Sequence, residues 1–420
     1  MTYSKLGNIK SPQGRRGLNM TGGATTPPAV DDDVLKGGLW LDSTTGDVYR
    51  ATDPWAKDGT WHTWDTVLWK AADNVLMVQP AEGDTGTTGE PAHFGPYQCV
   101  PWGSIGNNPS VSSMTSVRSK EGIAMNANST FLFFGYASLT DISALSGWGT
   151  SGVTSMDHMF SNCTSLTDIS PLSSWDVSNV TRMGAAFYYC TSLTNLSPLS
   201  NWDVSGVTYM NNMFSDCTSL TDLSPISGWD VSNVTNMGFM FCNCKSLADL
   251  SPLSGWDVSN VTRMTNMFSN CTSLIDISAL SSWDVSNVTY MTNMFGGCSS
   301  LTDLSPLSGW DVSGVTYMTD TFSGCTSLTD ASILSGWNVS NVTSVYGLFS
   351  TCPLERIGIP SLEHGGKKFV SNLKNAAVVD DLDATMLTNT TTHETMSANQ
   401  ILTDMDATPS KYATGTVWTL

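Results

Sequence analysis

The chain has 420 residues, enough for two or three domains, and it carries a net charge of −19 with only 13% charged residues. This acidic balance excludes a nucleic-acid partner held by its phosphates, and the lack of an 18-residue apolar run excludes a membrane-spanning helix. Abundant Ser, Thr, Gly and Asn favour an extracellular or virion β-protein over a cytosolic enzyme.

The first 130 residues are predicted to form three short regions ahead of a repeat array. Residues 1–34 are rich in Gly, Pro, Thr and Ser and lack the apolar core of an export signal, so we interpret them as an extended attachment arm. Residues 35–80 are predicted to be a small Trp-rich β module that begins with a strand, a turn and a strand. Its Trp side chains either bind sugars or pack a small core, and packing is the expected role. Residues 81–130 are turn-rich and are expected to cap the array.

From residue 131 to residue 352 the chain repeats every 27 residues. A period of this length indicates stacked units that bury ladders of identical side chains, because one thin unit cannot bury them alone. The predicted structural ladder includes Trp175, Trp202, Trp229, Trp256, Cys190, Cys217, Cys244 and Cys271. Parallel side chains in a ladder point the same way, so we expect reduced thiols with weak S–H donors and not disulfides. Cys242 lies outside the Cys column and is predicted to be exposed.

The repeat contains the segments Leu-x-x-Leu, Trp-Asp-Val-Ser-Asn-Val-Thr-x-Met and Met-Phe-x-x-Cys. Together they resemble the BspA-like leucine-rich repeat, which occurs on bacterial surface proteins and in some phages. The resemblance covers about half of the chain and implies a mainly β solenoid of the leucine-rich-repeat type, with about eight repeats. A Pro in the first apolar segment departs from the standard pattern, so the strands are expected to be short.

Residues 353–420 are predicted to form a C-terminal cap and tail. Two segments in this region have the character of short helices, at 382–386 and at 398–405. The last five residues, 416–420, have the character of a strand that pairs elsewhere in the chain.

Two Asp columns follow the repeat, one in the Leu-Thr-Asp segment and one directly after the Trp. The second column includes Asp176, Asp203, Asp230 and Asp257. Stacked carboxylates repel one another, which leaves two interpretations open: Ca²⁺ held between turns, or side chains that accept hydrogen bonds from their own turns. Asn195 and Asn338 replace Asp in these columns, and this favours turn capping, since Asn caps as well. No cofactor is therefore expected, and calcium is the alternative.

One column changes from copy to copy while its neighbours keep the repeat. This variable column follows Val-Thr and includes Arg182, Tyr209, Asn236, Arg263, Tyr290 and Tyr317. A core position would not accept both Arg and Asn, so the column is predicted to be exposed. Tyr and Arg are favoured at recognition hot spots, which indicates a binding surface, and neutral variation at a solvent-facing position is the alternative. No His pair with metal-ligand spacing, nucleophile elbow or phosphate loop occurs, so no enzymatic activity is predicted.

These features are interpreted as a phage virion fibre or spike that binds a host-surface protein or glycan without catalysis. Its N-terminal region would be held by other virion proteins, and the protein would lie on the particle surface. One alternative is a bacterial cell-surface adhesin that lacks its export signals. The other is a capsid or tail decoration with a purely structural role.

Overall fold

The computed structural model describes residues 112–119, 123–375, 378 and 382–420, and the backbone of eight strands between Thr2 and His93. The chain forms two compact units, Met1–Gly206 and Val207–Leu420. Most of the predicted attachment arm at 1–34, the Trp side chains of the module at 35–80 and most of the predicted cap at 81–130 lie outside the described residues.

The first unit begins with short strands arranged in sheets. The first sheet has the order β1-β4-β3-β2 and contains β1 (Thr2–Asn8), β2 (Met20–Gly22), β3 (Leu39–Leu41) and β4 (Asp47–Thr52). The second has the order β5-β6-β7-β9 and contains β5 (His62–Trp64), β6 (Val67–Ala72), β7 (Val75–Pro80) and β9 (Ser116–Ser119). β8 (Ala92–His93) pairs with β10 (Ile123–Ala124) in parallel. The antiparallel pair of β3 and β4 confirms the two strands predicted at the start of the module, and the predicted turn between them lies outside the described residues.

Within the repeats, a 3-10 helix and tight turns take the place of the predicted short strands. The 3-10 helices are Ser143–Gly147, Ser170–Ser174, Ser197–Leu199, Ser224–Ile226, Ser251–Leu253, Ser278–Ser282, Ser305–Gly309 and Ser332–Gly336. Five of them carry Pro in the first turn, where its fixed φ fits and its missing N–H costs nothing. Strand pairing in the described repeats is reduced to single β-bridges and the two-residue strand β11 (Asp330–Ala331). The repeats are therefore richer in turns and poorer in strands than predicted.

Neighbouring repeats in each unit are joined by parallel backbone hydrogen bonds between equivalent segments. In the second unit, the Thr262 N–H donates to the Thr235 carbonyl at 2.9 Å, and the Thr289 N–H donates to the Thr262 carbonyl at 2.9 Å. Two residues further on, the Met237 N–H donates to the Arg263 carbonyl at 3.0 Å. Within each unit, an interior repeat thus uses its backbone groups to bond both of its neighbours.

The Trp column is a buried ladder in which each indole N–H crosses to the preceding repeat. Trp256, Trp283 and Trp310 donate to the backbone carbonyls of Ile226, Leu253 and Leu280 at 3.2, 3.0 and 2.9 Å. Exposure is 5% for Trp175, 4% for Trp202, 4% for Trp229 and 3% for Trp256. Each of these carbonyls also accepts a backbone N–H from its own turn, so the indole adds a second hydrogen bond that crosses to the neighbouring repeat, in addition to burying apolar area.

The Cys column makes an equivalent bond. Cys190, Cys244 and Cys271 each donate an S–H bond of 3.2 Å to the carbonyl of Phe160, Phe214 and Phe241, respectively. All nine described Cys residues are free thiols, and Cys190, Cys217, Cys244 and Cys271 are fully buried. Burial raises the pKa of the Cys190, Cys244 and Cys271 thiols well above the ordinary value.

Cys242 is also buried, with 7% exposure, so the prediction of an exposed residue is wrong. It occupies the position that holds the buried Ser215 and Ser269 in the neighbouring repeats. Burial raises the pKa of the Cys242 thiol to about 11. Ser and Cys are close in size, which explains why this column accepts either residue.

The second unit ends in a five-stranded sheet of order β11-β12-β15-β13-β14 with two helices. Its further strands are β12 (Arg356–Ile359), β13 (Met386–Asn389), β14 (Thr395–Ser397) and β15 (Thr416–Thr419). The helices are α1 (Gly366–Val370) and α2 (Ala398–Ala407), and a 3-10 helix spans Pro409–Tyr412. Of the helices in the described part of the chain, none is long and apolar enough to cross a membrane.

Of the three predictions for the C-terminal region, two are confirmed and one is wrong. Helix α2 confirms the helix predicted at 398–405, and it begins with a capping box in which Ser397 Oγ accepts from the Gln400 N–H at 3.3 Å. Strand β15, paired with β12 and β13, confirms the predicted strand at the C-terminus. The prediction of a helix at 382–386 is wrong. This segment forms a turn that leads into β13, which buries Leu387 and pairs with β14.

Replacing Trp283 with Phe is expected to lower the free energy of unfolding by about 1–3 kcal/mol. The Leu253 carbonyl would keep the hydrogen bond from the Trp256 N–H but lose the one from the indole, and the smaller Phe ring would lose part of the buried packing. Urea unfolding followed by circular dichroism measures the change. Ile275→Thr is the matched control in the same repeat, because Ile275 is 58% exposed and its replacement is expected to cost less than about 0.5 kcal/mol. Equal losses in the two variants would contradict the role of the indole bond.

Candidate binding surface

The variable column lies on the single β-bridges that join neighbouring repeats. In the first unit, Ser155 bridges Arg182 in parallel. In the second unit the bridged pairs are Tyr209–Asn236, Asn236–Arg263, Arg263–Tyr290 and Tyr290–Tyr317. Residues in register on a parallel ladder project to the same side, so the column forms one row of side chains within each unit.

Three members of the column form one continuous stack, which we call the Arg-Tyr-Tyr stack: Arg263, Tyr290 and Tyr317. The Arg263 guanidinium carbon lies 4.6 Å from the centroid of the Tyr290 ring. The Tyr290 and Tyr317 ring centroids are 5.1 Å apart, with 8° between the ring planes. Arg263 and Tyr317 are exposed, and Tyr290 is half-buried between them. At exposed sites, such contacts contribute about 0.5–1 kcal/mol each and restrict the side chains to one arrangement.

The other members of the column differ from one another. Arg182 Nε donates to Asp157 Oδ2 at 2.7 Å, so this guanidinium is held by a carboxylate of the preceding repeat. Asn236 is half-buried, and its Oδ1 accepts from the Gly238 N–H at 2.9 Å. Tyr209 is 39% exposed. The six predicted binding residues therefore do not form one uniform row. Three of them form the Arg-Tyr-Tyr stack, and the other three each lie in different surroundings.

Both Asp columns accept hydrogen bonds from their own turns. Asp222 Oδ1 accepts from the Ser224 N–H at 2.8 Å, at the start of a 3-10 helix. Asn195 replaces Asp in this column and makes the same bond to the Ser197 N–H at 2.9 Å. The column after the Trp follows the same pattern, because each Asp accepts from the backbone N–H of the Ser two residues further on. The distances are 3.1 Å for Asp176, Asp203 and Asp230 and 3.0 Å for Asp257.

These bonds have an electrostatic consequence. The Ser178 and Ser205 side chains and backbone N–H groups lower the pKa of Asp176 and Asp203, and the backbone N–H of Ser224 does the same for Asp222. Turn capping therefore accounts for one oxygen of each carboxylate. The described residues contain no group of three or more His, Cys, Asp or Glu side chains placed to hold a metal ion. Calcium at Asp176, Asp203, Asp230 and Asp257 stays the alternative to capping.

Two backbone positions per repeat are left-handed, and the sequence reasoning missed both. The first column, which we call the left-handed column, holds Phe131, His158, Ala185, Asn212, Phe239, Asn266, Asn293, Asp320 and Gly347. The second holds Gly135, Asn162, Tyr189, Asp216, Asn243, Asn270, Gly297, Gly324 and Thr351. Asn, Asp and Gly adopt this conformation at low cost, whereas bulky residues are strained. Six residues are exceptions: Phe131, His158, Ala185, Tyr189, Phe239 and Thr351. Tyr189 and Phe239 are the exposed aromatic ones, at 42% and 38%, and the Asn, Asp and Gly in the remaining copies were the sequence signal.

The chain is a largely non-helical repeat protein. It has periodic 3-10 turns, hydrogen bonds between neighbouring repeats, and buried ladders of Trp, Phe and Cys. Residues 128–251 and 248–356 match the sequence profile of a family described as "Mycoplasma protein of unknown function, DUF285", and the chain belongs to this family. This membership supports the predicted repeat type in its broad form and gives no support to a phage origin. No curated protein matches the chain.

Among solved structures, the chain is similar to a leucine rich cell surface protein from Faecalibacterium prausnitzii A2-165. The two share 17% sequence identity over 70% of this chain and 93% of that chain, with a TM-score of 0.23.

Replacing Asp222 with Ala is expected to lower the free energy of unfolding at pH 7 by about 1 kcal/mol, because the turn loses its cap. Replacing Asp222 with Asn should keep the cap, as Asn195 does, and change stability by less than about 0.5 kcal/mol. The pKa of Asp222 is lowered in the folded state, so its stabilisation is present above the unfolded pKa near 3.8 and is lost as the pH falls through the folded value.

Urea unfolding at pH 7 and at pH 3 measures both effects. The difference between the wild type and Asp222→Ala should shrink at pH 3. A difference that does not change with pH would contradict a capping role for the ionised carboxylate.

Proposed function

We propose that the chain is a non-catalytic binding protein of a bacterial cell surface that attaches to a host-surface protein or glycan. The face that carries the Arg-Tyr-Tyr stack would make the contact. The stack supports this proposal most directly, because Tyr and Arg side chains already held in place provide contact area and hydrogen-bond donors at a low cost in entropy.

The bacterial setting rests on the family, whose description names Mycoplasma, and on the low content of charged residues. It replaces the phage fibre as the main interpretation. In this setting the N-terminal region would still attach the protein, with components of the cell surface as its partners in place of virion proteins.

The binding face would be carried by a solenoid of the leucine-rich-repeat type with about eight repeats. The unbroken 27-residue spacing supports this arrangement, as do the hydrogen bonds between equivalent segments of neighbouring repeats inside each unit. A stack of this kind resists deformation, because neighbouring repeats inside each unit are bonded through the backbone and through the Trp and Cys side chains. A rigid surface loses little freedom on binding, which favours adhesion.

A catalytic role has less support. His158 Nδ1 lies 3.5 Å from Ser161 Oγ, which is an arrangement that activates nucleophiles in hydrolases. However, Ser161 is fully buried, so its hydroxyl cannot meet a substrate. In the C-terminal cap, Lys411 is paired with both Asp404 and Glu394, which leaves it without the depressed pKa of a catalytic amine.

The binding proposal is tested with the triple variant Arg263→Ser, Tyr290→Ser and Tyr317→Ser. Fluorescent protein is titrated onto cultured epithelial cells, and the apparent Kd is measured by flow cytometry. The variant is expected to bind roughly 100-fold more weakly, because two or three hot-spot side chains contribute about tenfold each.

Lys245→Ser is the matched control, since Lys245 is an exposed cation of the same repeat array and lies outside the stack. It should bind within about twofold of the wild type, and circular dichroism should show that both variants are folded. Unchanged binding by the folded triple variant would reject this face as the binding surface. A wild-type protein that binds no cell type would reject the proposed function and favour a purely structural role.

A further inference from the structure

Phe239 is an exposed aromatic side chain on the same segment of the repeat as the variable column. It follows Asn236 of that column by three residues and is 38% exposed. Its backbone is held firmly, because its N–H donates to the Thr265 carbonyl at 2.8 Å and its carbonyl accepts from the Cys242 N–H at 3.1 Å. The exposed ring is therefore presented by a fixed backbone and not by a loop that can retract it.

The backbone at Phe239 is strained, with φ at 62°. In the neighbouring repeats the left-handed column holds Asn212 and Asn266, with φ at 59° and 56°. Asn tolerates this conformation because of its short polar side chain, whereas a Phe pays the full steric cost. Burial of the ring would offset that cost, but the ring is exposed. Phe239 is therefore expected to lower the stability of the fold where Asn would not, and it lacks the ring stacking that joins Phe131 and His158 in the same column. Strain of this kind is often retained where a residue serves a function.

The surroundings indicate which kind of molecule would meet this ring. Both faces of the Tyr290 ring are covered, one by Arg263 and the other by Tyr317, so a sugar ring cannot stack on it. Apart from the outer face of Tyr317, which lies toward Ser344 of the next repeat, the stack presents ring edges, hydroxyls and the outer edge of a guanidinium. These groups suit hydrogen bonds and apolar contacts with a protein surface better than sugar stacking.

The charge pattern leads to the same partner. Residues 137–352 contain sixteen Asp and no Glu, but most of these carboxylates lie in the two turn-capping columns. Beside the stack, the equivalent positions after the column hold Thr265, Asn266, Thr292, Asn293, Thr319 and Asp320, with one carboxylate among six residues. A face of Tyr, Thr, Asn and Arg with few charges has the composition of protein-recognition surfaces.

We infer that Phe239 is an apolar anchor that inserts into a pocket on a protein partner, beside the contact made by the Arg-Tyr-Tyr stack. The inference rests on the proposed function and deepens it, because it assigns the partner to proteins and not to glycans. It also adds a binding residue outside the variable column.

The test compares Phe239→Asn with Ile275→Ser, which removes another exposed apolar side chain, 58% exposed, from a different segment of the repeat. Phe239→Asn is expected to raise the melting temperature by about 2–4 °C, because the strain is relieved. The same change should weaken binding to epithelial cells at least tenfold, as for a hot-spot residue. Ile275→Ser should bind within about twofold of the wild type. Opposite changes in stability and binding would not follow from a purely structural role.

The partner class is tested on the same cells after trypsin digestion, which removes surface proteins, and after mild periodate oxidation, which destroys glycans. Loss of wild-type binding after trypsin, and its persistence after periodate, supports the inference. Unchanged binding by Phe239→Asn overturns it, as does binding that survives trypsin and disappears after periodate. In both of those cases the proposed binding function would stand, whereas a wild type that binds no untreated cells would reject that function itself.

Discussion

The hydrogen bond from a buried side chain to a backbone carbonyl of the preceding repeat is the constraint on which the array depends. Backbone N–H groups already bond the carbonyls of Leu253 and Phe241 within their own turns, and the Trp283 indole and the Cys271 thiol of the following repeat give each of them a second donor. These buried carbonyls therefore use one lone pair inside the repeat and the other across the junction. The Trp and Cys columns recur because each of these side chains links its repeat to the preceding one.

The same constraint separates the parts of the repeat that vary from those that do not. In the variable column only the backbone takes part in the bridge, so Arg, Tyr, Asn and Ser are all accepted. The left-handed column is restricted differently, because its φ favours Asn, Asp and Gly whatever the side chain contacts. Phe239 satisfies neither the packing nor the backbone preference of its position. A residue that costs stability and remains exposed is a stronger indication of function than one at a position where any residue fits.

The features that identify the repeat do not reveal where the protein works. The Trp, Phe and Cys columns lie inside the array, and they reflect packing that is the same on a virion and on a cell. For this reason the sequence resemblance fitted both settings, and the phage interpretation rested on composition and on the lack of an export signal pattern in residues 1–34. Family membership favours the bacterial setting, and the proposed binding role depends on exposed side chains of the variable column, which differ from copy to copy.

Four features could be predicted from the amino-acid sequence: the 27-residue period, the apolar ladders, the turn-capping role that Asn195 shares with Asp, and the position of helix α2. Each of these depends on residues that are close in sequence or repeat identically, so pattern and local propensity suffice. The burial of Cys242 and the turn of residues 382–386 into strand β13 emerged only from the folded chain. So did the stacking of Arg263, Tyr290 and Tyr317, and the pairing of Arg182 with Asp157. Those outcomes depend on the register between neighbouring repeats or strands, which brings together side chains that are far apart in the chain.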